Sequence, residues 1–474
     1  MCVRTWSDLD SLIPAGGSFR DPSGRVYLAG KNVVRTIHEE YAQHWIAMEQ
    51  SGFIKEAVES GLLLEYRELA PVSDVWKCIS SPTLPFISYP YEWSFEQLKD
   101  AALHTLLCMR SALRYGLVLK DATAYNIQFF GGRPIFIDHC SFEKREPFSP
   151  WAAYLQFCKH FLAPLALMSK ADVSCGRFLT LWIDGIPLEL ASKMLPLTTK
   201  VSPFLQIHIH MHARMQCRHH DARESAMKVK SVKVDDKTLV KLCESLRVAI
   251  EDLTLPRRTT EWGDYYADTN YSAEAVADKT AIIDETAKEY GGDLAVDLGA
   301  NTGVFSRLLA QYYGHVVAAD IDCQVVDSHY ALLKSGNIKN ITPIVLDLSN
   351  PSPALGWGLQ ERDSFSTRCS ADMLTAFALL HHLVFRAGIP MHKTAEYFSA
   401  LLKERGILML EFVPAEDSQV QRMLAARDPV FANYTLEACI AVYAEYFELL
   451  KTRRLANSLR TMLVWRKKYA QKQA

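Results

Sequence analysis

Three short apolar runs in the second half of the chain each end at or beside an aspartate. Leu294-Ala-Val-Asp-Leu298 carries Asp297 and runs into the loop Gly299-Ala-Asn-Thr-Gly303. His315-Val-Val-Ala-Ala319 ends in Asp320, and Thr342-Pro-Ile-Val-Leu346 ends in Asp347. Glycines in the first loop let a ligand approach the backbone closely, because no Cβ stands in the way. Asp297, leading a DxGxNxG loop and not GxGxxG, suits a positively charged amino group better than a pyrophosphate. Asp320 can accept both hydroxyls of a ribose, and Asp347, with Leu348 beside it, can meet an adenine edge. Taken singly, Asp297 can be a turn former and Asp347 a helix cap. Their common placement at strand ends beside a glycine loop is what points to a site. His381 and His382 follow another apolar run, Met373 to Leu380. An imidazole titrates near neutrality, so either can serve as a base toward a weak nucleophile; the pair can equally just shape a pocket.

The elements that must hold these residues follow from the hydrophobic pattern. Residues 261–474 alternate buried-strand runs with helical runs, the pattern of an α/β fold with a parallel sheet. A strand, a tight glycine turn and a helix from Val304 to Tyr313 build a crevice at the carboxyl edge of such a sheet. The stretch Glu261-Trp-Gly-Asp-Tyr-Tyr-Ala-Asp-Thr-Asn-Tyr-Ser272 precedes the first strand. Trp262, Tyr265 and Tyr266 either form a lid over the crevice or pack against the sheet.

The segments VDLGANTG, VVAADID and LDL, in that order and spacing, resemble the methionine, ribose and adenine motifs of class I S-adenosylmethionine-dependent methyltransferases. The resemblance implies a Rossmann-like sheet and S-adenosyl-L-methionine as cofactor. Asp297, Gly299, Asn301 and Gly303 would line the methionine end, Asp320 would bind ribose, and Asp347 with Leu348 would hold adenine. It continues through Met373–Leu383 and Gly406–Pro414, similar to the family's fourth and fifth strands. Tyr446–Leu450 and Arg460–Arg466 suit its closing antiparallel hairpin. An NPPY-like tetrapeptide, used by many amino-directed members, is replaced by Ala378-Leu-Leu-His-His382. That favours an oxygen or carbon acceptor on a small molecule or glycan, with His381 or His382 as the candidate base.

A second constellation lies in the first half. Asp121 and Asn126 stand five apart, a Gly131-Gly-Arg-Pro134 turn separates two strand-like pieces, and Asp138 closes the second. This resembles the catalytic and metal-binding loops of kinase-like phosphotransferases. The departures are Leu119 in place of the loop histidine, His139-Cys140 after Asp138, the lack of a glycine-rich phosphate loop, and Lys31 in an apparent turn. An active phosphotransferase, a kinase-like fold kept for binding as a scaffold, and plain turn chemistry all stand as readings. The histidines at 208, 210, 212, 219 and 220, with Cys217 among them, lack a CxxC or HExxH frame, and a helical reading scatters them, so no metal is expected. Phe19–Gly24, Leu119–Asn126, Phe136–Asp138, Ser141–Glu143 and His208–Arg214 further resemble a two-part bacterial methyltransferase family that includes a rhizobial nodulation protein. That resemblance implies a role in host-specific nodulation through modification of a signal molecule or glycan.

Length and composition agree with two parts. The 474 residues exceed what one hydrophobic core usually serves. The expected division is a kinase-like α+β domain at 1–225, a connecting helical segment at 226–260 with a helix at Leu239–Leu253, and the methyltransferase domain at 261–474. A net charge of −2 argues against a nucleic-acid partner. The start of the chain lacks a basic head followed by an apolar run, no apolar stretch suffices for a membrane span, and the 11 cysteines are scattered without paired spacing. Reduced thiols and a cytoplasmic location are the expectation. The acceptor and the oligomeric state are open at this level.

Overall fold

The computed structural model describes residues 12–70, 75–218, 233–256, 271–425 and 433–469. It separates into two compact units: 1–257 with 354–363, and 258–353 with 364–474.

The first unit is α+β. Strands β1 (Ile13–Pro14), β2 (Gly24–Ala29), β3 (Asn32–Ile37), β4 (Arg67–Glu68) and β5 (Lys77–Pro82) form an antiparallel sheet in the order β1-β2-β3-β5-β4. The expected strands at Arg25–Leu28 and Asn32–Ile37 are β2 and β3. Two helices, Ala42–Gln50 and Phe53–Glu59, are inserted between β3 and β4. The helix Phe95–Arg114 starts where Ser94 N–H donates to Gln97 Oε1 (3.0 Å), half of a capping box. It buries Leu98, Ala102, Leu106, Met109 and Leu113, a spacing of three and four that keeps one face inward. Two short antiparallel pairs follow: β6 (Leu117–Leu119) with β9 (Phe142–Lys144), and β7 (Ile127–Phe130) with β8 (Arg133–Phe136).

The division of the chain differs from the expected one in two places. The helix Asp236–Glu251, read from the sequence as part of a connector at 226–260, is an integral element of the first unit. Asp235 caps it by accepting from Thr238 N–H (2.8 Å). Leu239, Cys243, Leu246 and Ile250 are all buried, and the helix packs on Phe95–Arg114. Lys99 Nζ donates to the carbonyls of Glu251 (3.1 Å) and Leu253 (2.7 Å), satisfying its otherwise open C-terminal end. The second difference is residues 354–363, which lie within the second half of the sequence yet belong to the first unit. Arg20 grips Glu361 with two parallel bonds (Nη2–Oε1 2.6 Å, Nε–Oε2 2.7 Å), and Asp363 N–H donates to Tyr89 OH (3.0 Å). A Cβ on Gly16 would fall 1.7 Å from the Gln360 carbonyl oxygen, so only glycine lets the two backbones meet.

The second unit holds a seven-stranded sheet in the order β12-β11-β10-β13-β14-β16-β15. Its strands are β10 (Gly292–Leu298), β11 (Tyr313–Asp320), β12 (Ile341–Val345), β13 (Ala371–Ala376), β14 (Leu402–Phe412), β15 (Phe447–Arg454) and β16 (Thr461–Lys467). The first five pair in parallel, while β16 runs antiparallel to β14 and β15 antiparallel to β16. The expected closing hairpin is therefore present. Leu294–Leu298 and Val316–Ala319 are buried throughout, as expected of parallel strands covered on both faces. Strand order reverses between β10 and β13, which opens a crevice at their carboxyl ends. The helix expected to reach Tyr313 stops at Leu309, and β11 starts at Tyr313. Asn340 Nδ2 donates to the carbonyls of Ala310 (2.8 Å), the helix's C-cap, and Tyr313 (3.3 Å), the first residue of β11, so one side chain ties the end of the helix to the start of the strand. Among the described residues, no helix is long and apolar enough to cross a membrane.

If the helix Asp236–Glu251 is core and not connector, Leu246→Ala should cost about 2–5 kcal/mol, the range for emptying a fully buried leucine site. Denaturant unfolding of the full chain measures this; a loss below about 0.5 kcal/mol, as at an exposed linker, contradicts the assignment.

Candidate cofactor site

The loop after β10 is wound by three residues in the left-handed region: Gly299 (φ 73°), Asn301 (φ 49°) and Gly303 (φ 72°). Backbone N–H groups of Gly299 and Ala300 both donate to the Ala319 carbonyl (2.9 and 3.0 Å), which fastens the loop to the end of β11. Asn301 tolerates its conformation because its side-chain oxygen accepts from Thr302 N–H (2.8 Å). Its own N–H donates to Asp320 Oδ2 (2.9 Å). The loop and Asp320 are thus joined directly. Gly303 plays a different part from its neighbours. It caps the helix Val304–Leu309 and is not on the cavity wall. A Cβ there would lie 2.0 Å from the His329 ring, so the residue permits close packing beneath the loop.

Asp297, Gly299, Asn301, Asp320, Asp347 and Leu348 all line one cavity of about 550 Å³, within the size range of small-molecule sites. The three acids are held in different ways. Asp297 is buried and accepts from Ser306 Oγ (Oδ2, 2.6 Å) and from Thr375 Oγ1 (Oδ1, 2.7 Å). Thr375 reaches it because the two residues face each other in the β10–β13 register. Burial pushes the Asp297 carboxyl above its ordinary pKa, opposed by these two hydroxyls and by Lys279. Burial likewise lifts Asp320 to about 6, against the N–H groups of Asp322 and Asn301 that it accepts. Asp347 is half-buried, and its Oδ1 holds a turn by accepting from Ser349 N–H (2.9 Å) and Oγ (2.6 Å). The turn-forming and ligand-facing readings of Asp347 are therefore compatible. Apolar side chains supply most of the remaining wall, among them Val276, Leu379, Leu383 and the pair Phe305–Phe377, whose rings meet edge-on at 5.3 Å.

The two histidines separate. His382 lines the cavity, whereas His381 is buried behind the wall. Their rings lie 4.1 Å apart, centroid to centroid. Burial, with His382 and Arg460 nearby, holds the His381 imidazole well below its ordinary pKa. Its Nδ1 has no hydrogen-bond partner among the described residues.

Sequence reasoning missed a buried charged group on the cavity wall. Lys279, from the helix Ala273–Tyr290, pairs with Glu411 near the end of β14 (Nζ–Oε2 2.7 Å), and both are almost fully buried. Tyr271 OH also donates to Glu411, and Arg460 approaches Glu411 at 3.7 Å while binding Asp417 at 2.9 Å. Two signals were available: a glutamate inside the apolar run Ile407–Val413, and a lysine one turn beyond Ala275 on the buried face of its helix. Of the aromatic stretch before β10, Trp262, Tyr265 and Tyr266 lie outside the described residues; Tyr271 lines the cavity.

In the first unit, the residues read from the sequence as kinase-like bond to one another and to near neighbours. Arg35, on β3, binds Asp138 Oδ1 at 2.7 Å, and Ser141 Oγ donates to Asp138 Oδ2. Asn126 Nδ2 donates to Ser141 Oγ (3.0 Å), and Asp121 Oδ1 accepts from Thr123 N–H (3.0 Å). Although burial opposes it, the Arg35 guanidinium holds the Asp138 carboxyl below its ordinary pKa. The histidine-rich segment forms a helix, as its flanks suggest, with a π-helical stretch at Gln206–Met211. His208 bonds Tyr154 OH (2.7 Å) and Ser245 Oγ (2.8 Å), and His210 bonds Ser192 Oγ (2.8 Å) and Thr199 Oγ1 (2.9 Å). Both rings are fully used as structural links. His219 and His220 lie outside the described residues, among which no group of three or more His, Cys, Asp or Glu could hold a metal ion.

No family model matches the sequence. It is 32% identical over 459 residues to the nodulation protein NoeA of Rhizobium meliloti (strain 1021), covering 94% of each chain. The chain belongs to the NoeA family. Solved structures with a likeness to it include the N-methyltransferase NodS from Bradyrhizobium japonicum WM9, at TM-score 0.32 and 13% identity over 42% of this chain and 98% of that one. Another is the magnesium protoporphyrin IX methyltransferase ChlM from Synechocystis PCC 6803 with bound SAH, at TM-score 0.31 and 19% identity over 43% of this chain and 90% of that one.

In the NoeA-family chain the glycine loop can be tested apart from any ligand. Gly303→Ala should lower stability by about 1–3 kcal/mol, because it adds a left-handed alanine and a clash with His329. Gly299→Ala bears only the conformational part, since its nearest neighbour to a new Cβ is 3.6 Å away. Thermal melting of the two variants should therefore rank Gly303→Ala as the less stable.

Proposed function

We propose that this NoeA-family chain is an S-adenosyl-L-methionine-dependent methyltransferase. One observation carries the reading: Asp297, Asp320 and Asp347, from three neighbouring strand ends, line a single cavity with the Gly299–Asn301 loop. The cofactor supplies a methyl group already activated by its sulfonium. Asp320, already tied to the loop backbone, is suited to accept the two ribose hydroxyls. Asp347 and Leu348 suit an adenine edge, and the loop with Asp297 suits the methionine end. The apolar wall excludes water and aligns the acceptor, so that proximity supplies much of the rate. His382, on the wall, is the better placed candidate base; the buried His381, its ring 4.1 Å from that of His382, is assigned a positioning role.

The acceptor we propose is an oxygen or carbon atom of a small molecule or glycan, linked to host-specific nodulation. Ala378-Leu-Leu-His-His382 after β13 and the family relationship support this reading. For the first unit we propose a kinase-like fold kept for binding, with its strand order, the Asn126–Ser141–Asp138 bonds and the interaction of Asp121 with Asn126 and Asp138 in support. Asp138 is already neutralised by the Arg35 guanidinium and bonded by Ser141, which supports a structural role for it, and we assign these residues no phosphotransfer.

Calorimetry with S-adenosylmethionine tests the central claim. The wild-type chain should bind, and Asp320→Ala should bind on the order of 10–100-fold more weakly, the equivalent of one lost charge-assisted contact. No binding, or equal binding by the variant, overturns it. Affinity should also depend on pH with a stated sign. Hydroxyl donors favour the ionised Asp320, so binding lowers a pKa that stands at about 6 in the free protein. Affinity should be level above pH 7 and fall by up to about tenfold per unit below pH 6. Labelled-methyl transfer into a lysate from a strain lacking the protein would then identify the acceptor.

A further inference from the structure

The charges on the cavity wall are sorted along the sheet edge. Asp297, Asp320 and Asp347 stand at or beside the ends of β10, β11 and β12. Those strands are neighbours in the order β12-β11-β10-β13, so the acids share one side of the edge. The chain leaving β13, on the other side of β10, carries a cation, Arg386. Arg386 is exposed and lines the cavity. Among the described lining residues the other cation is Lys279, which is buried and ion-paired to Glu411 at 2.7 Å.

The segment that bears Arg386 has two uncommon backbone features. Ala378 takes a left-handed conformation (φ 48°), which is costly for a residue with a Cβ and is met most often at functional sites. His382–Arg386 then forms a π-helical turn, closed by Ala387 N–H donating to the His382 carbonyl (3.1 Å). Turns of this kind are rare and also cluster at functional sites. Ala378, Leu379, His382, Leu383, Arg386 and Ala387 all line the cavity. From Leu379 onward the steps are three, one, three and one, the spacing of a single helical face. Leu379, Leu383 and Ala387 give that face an apolar row; His382 and Arg386 give it a polar one. Side chains so spaced have Cβ atoms about 5–6 Å apart, so the guanidinium and the candidate base address the same bound molecule.

A cation at that place selects by charge. The sulfonium of the cofactor is positive as well, so a protonated amine is repelled by both and an anionic group is attracted by both. A guanidinium also offers a planar fork that matches a carboxylate, sulfate or phosphate with two parallel bonds. We propose that Arg386 binds an anionic group of the acceptor, which makes the substrate an acid. Its methylated oxygen or carbon faces His382, and its carboxylate, sulfate or phosphate lies about one helical turn away. This rests on the methyltransferase reading and adds to it the charge of the acceptor. Arg386 contributes an ion pair with hydrogen bonds and moves no proton.

The test uses the full chain, methyl-labelled S-adenosylmethionine and the small-molecule fraction of a lysate from a strain lacking the protein. The labelled product should migrate as an anion in electrophoresis at pH 7. Repeating the run at pH 2 tells the sources apart: a carboxylate product loses its charge, whereas a sulfate or phosphate keeps all or part of it. With the same acceptor fraction, Arg386→Met should raise the apparent KM on the order of 10–100-fold, the equivalent of one lost charge-assisted contact. Its kcat and its calorimetric affinity for S-adenosylmethionine should stay nearly unchanged. Arg386→Lys keeps the charge without the fork and should recover part of the loss. A product that is neutral or cationic at pH 7, or an unchanged KM in Arg386→Met, overturns the acidic acceptor and leaves the methyltransferase reading standing. A wild-type chain that binds no S-adenosylmethionine, or binds it and labels nothing, overturns both.

Discussion

The carboxylate of Asp297 is the point from which the second unit is organised. It sits near the end of the central strand, out of water, and a buried charge must be met by donors or it neutralises. Ser306 meets it from the helix that follows the glycine loop, and Thr375 from the adjacent strand. One side chain therefore fixes the helix start, the β10–β13 register and the floor of the cavity together. The loop between them can then take its left-handed turns without wandering, because its two ends are already anchored. The same logic repeats one strand over. Asp320 accepts N–H groups from Asn301 on one side and Asp322 on the other, which joins the loop of one strand to the exit of the next.

These carboxylates are strained as charges but useful as acceptors. Burial lifts both Asp297 and Asp320 above their ordinary pKa, so both acids would gain from further donors. A ligand offering hydroxyl or ammonium groups supplies those donors. Glu411 shows the opposite solution. Flanked by Lys279, Arg460 and Tyr271, it stays ionised without a ligand and serves to position its neighbours.

The parts of this design that are local in sequence are legible without the structure. DxGxNxG, the apolar runs ending in Asp320 and Asp347, and the strands β2 and β3 all declare themselves through spacing and period. What escaped detection depends on long-range pairing. Lys279 and Glu411 are 132 residues apart, and nothing in either neighbourhood announces that one neutralises the other. Gly303 has the correct motif position, yet its structural reason is the His329 ring 26 residues on, which only the packed fold reveals. The two histidines after β13 look equivalent as residues, but a one-residue advance along that segment carries His382 to the wall and His381 away from it. The helix Asp236–Glu251 has the amphipathic pattern of a packed element, but pattern alone does not say which core receives it.

The strap at 354–363 constrains how the two halves of the chain can be understood. The sequence suggests two domains in succession, but the chain leaves the second unit just after the turn at Asp347 and returns at Ser364. Glu361 is buried against Arg20 and also accepts from Trp357 N–H (2.6 Å), while Arg362 lies 4.1 Å over the Tyr125 ring, next to Asn126. A cut near residue 257 would not release two self-sufficient pieces. The C-terminal piece would carry Glu361 without Arg20, losing the partner of a buried carboxylate, and the N-terminal piece would lose a segment against which Gly16 and Tyr89 are fitted.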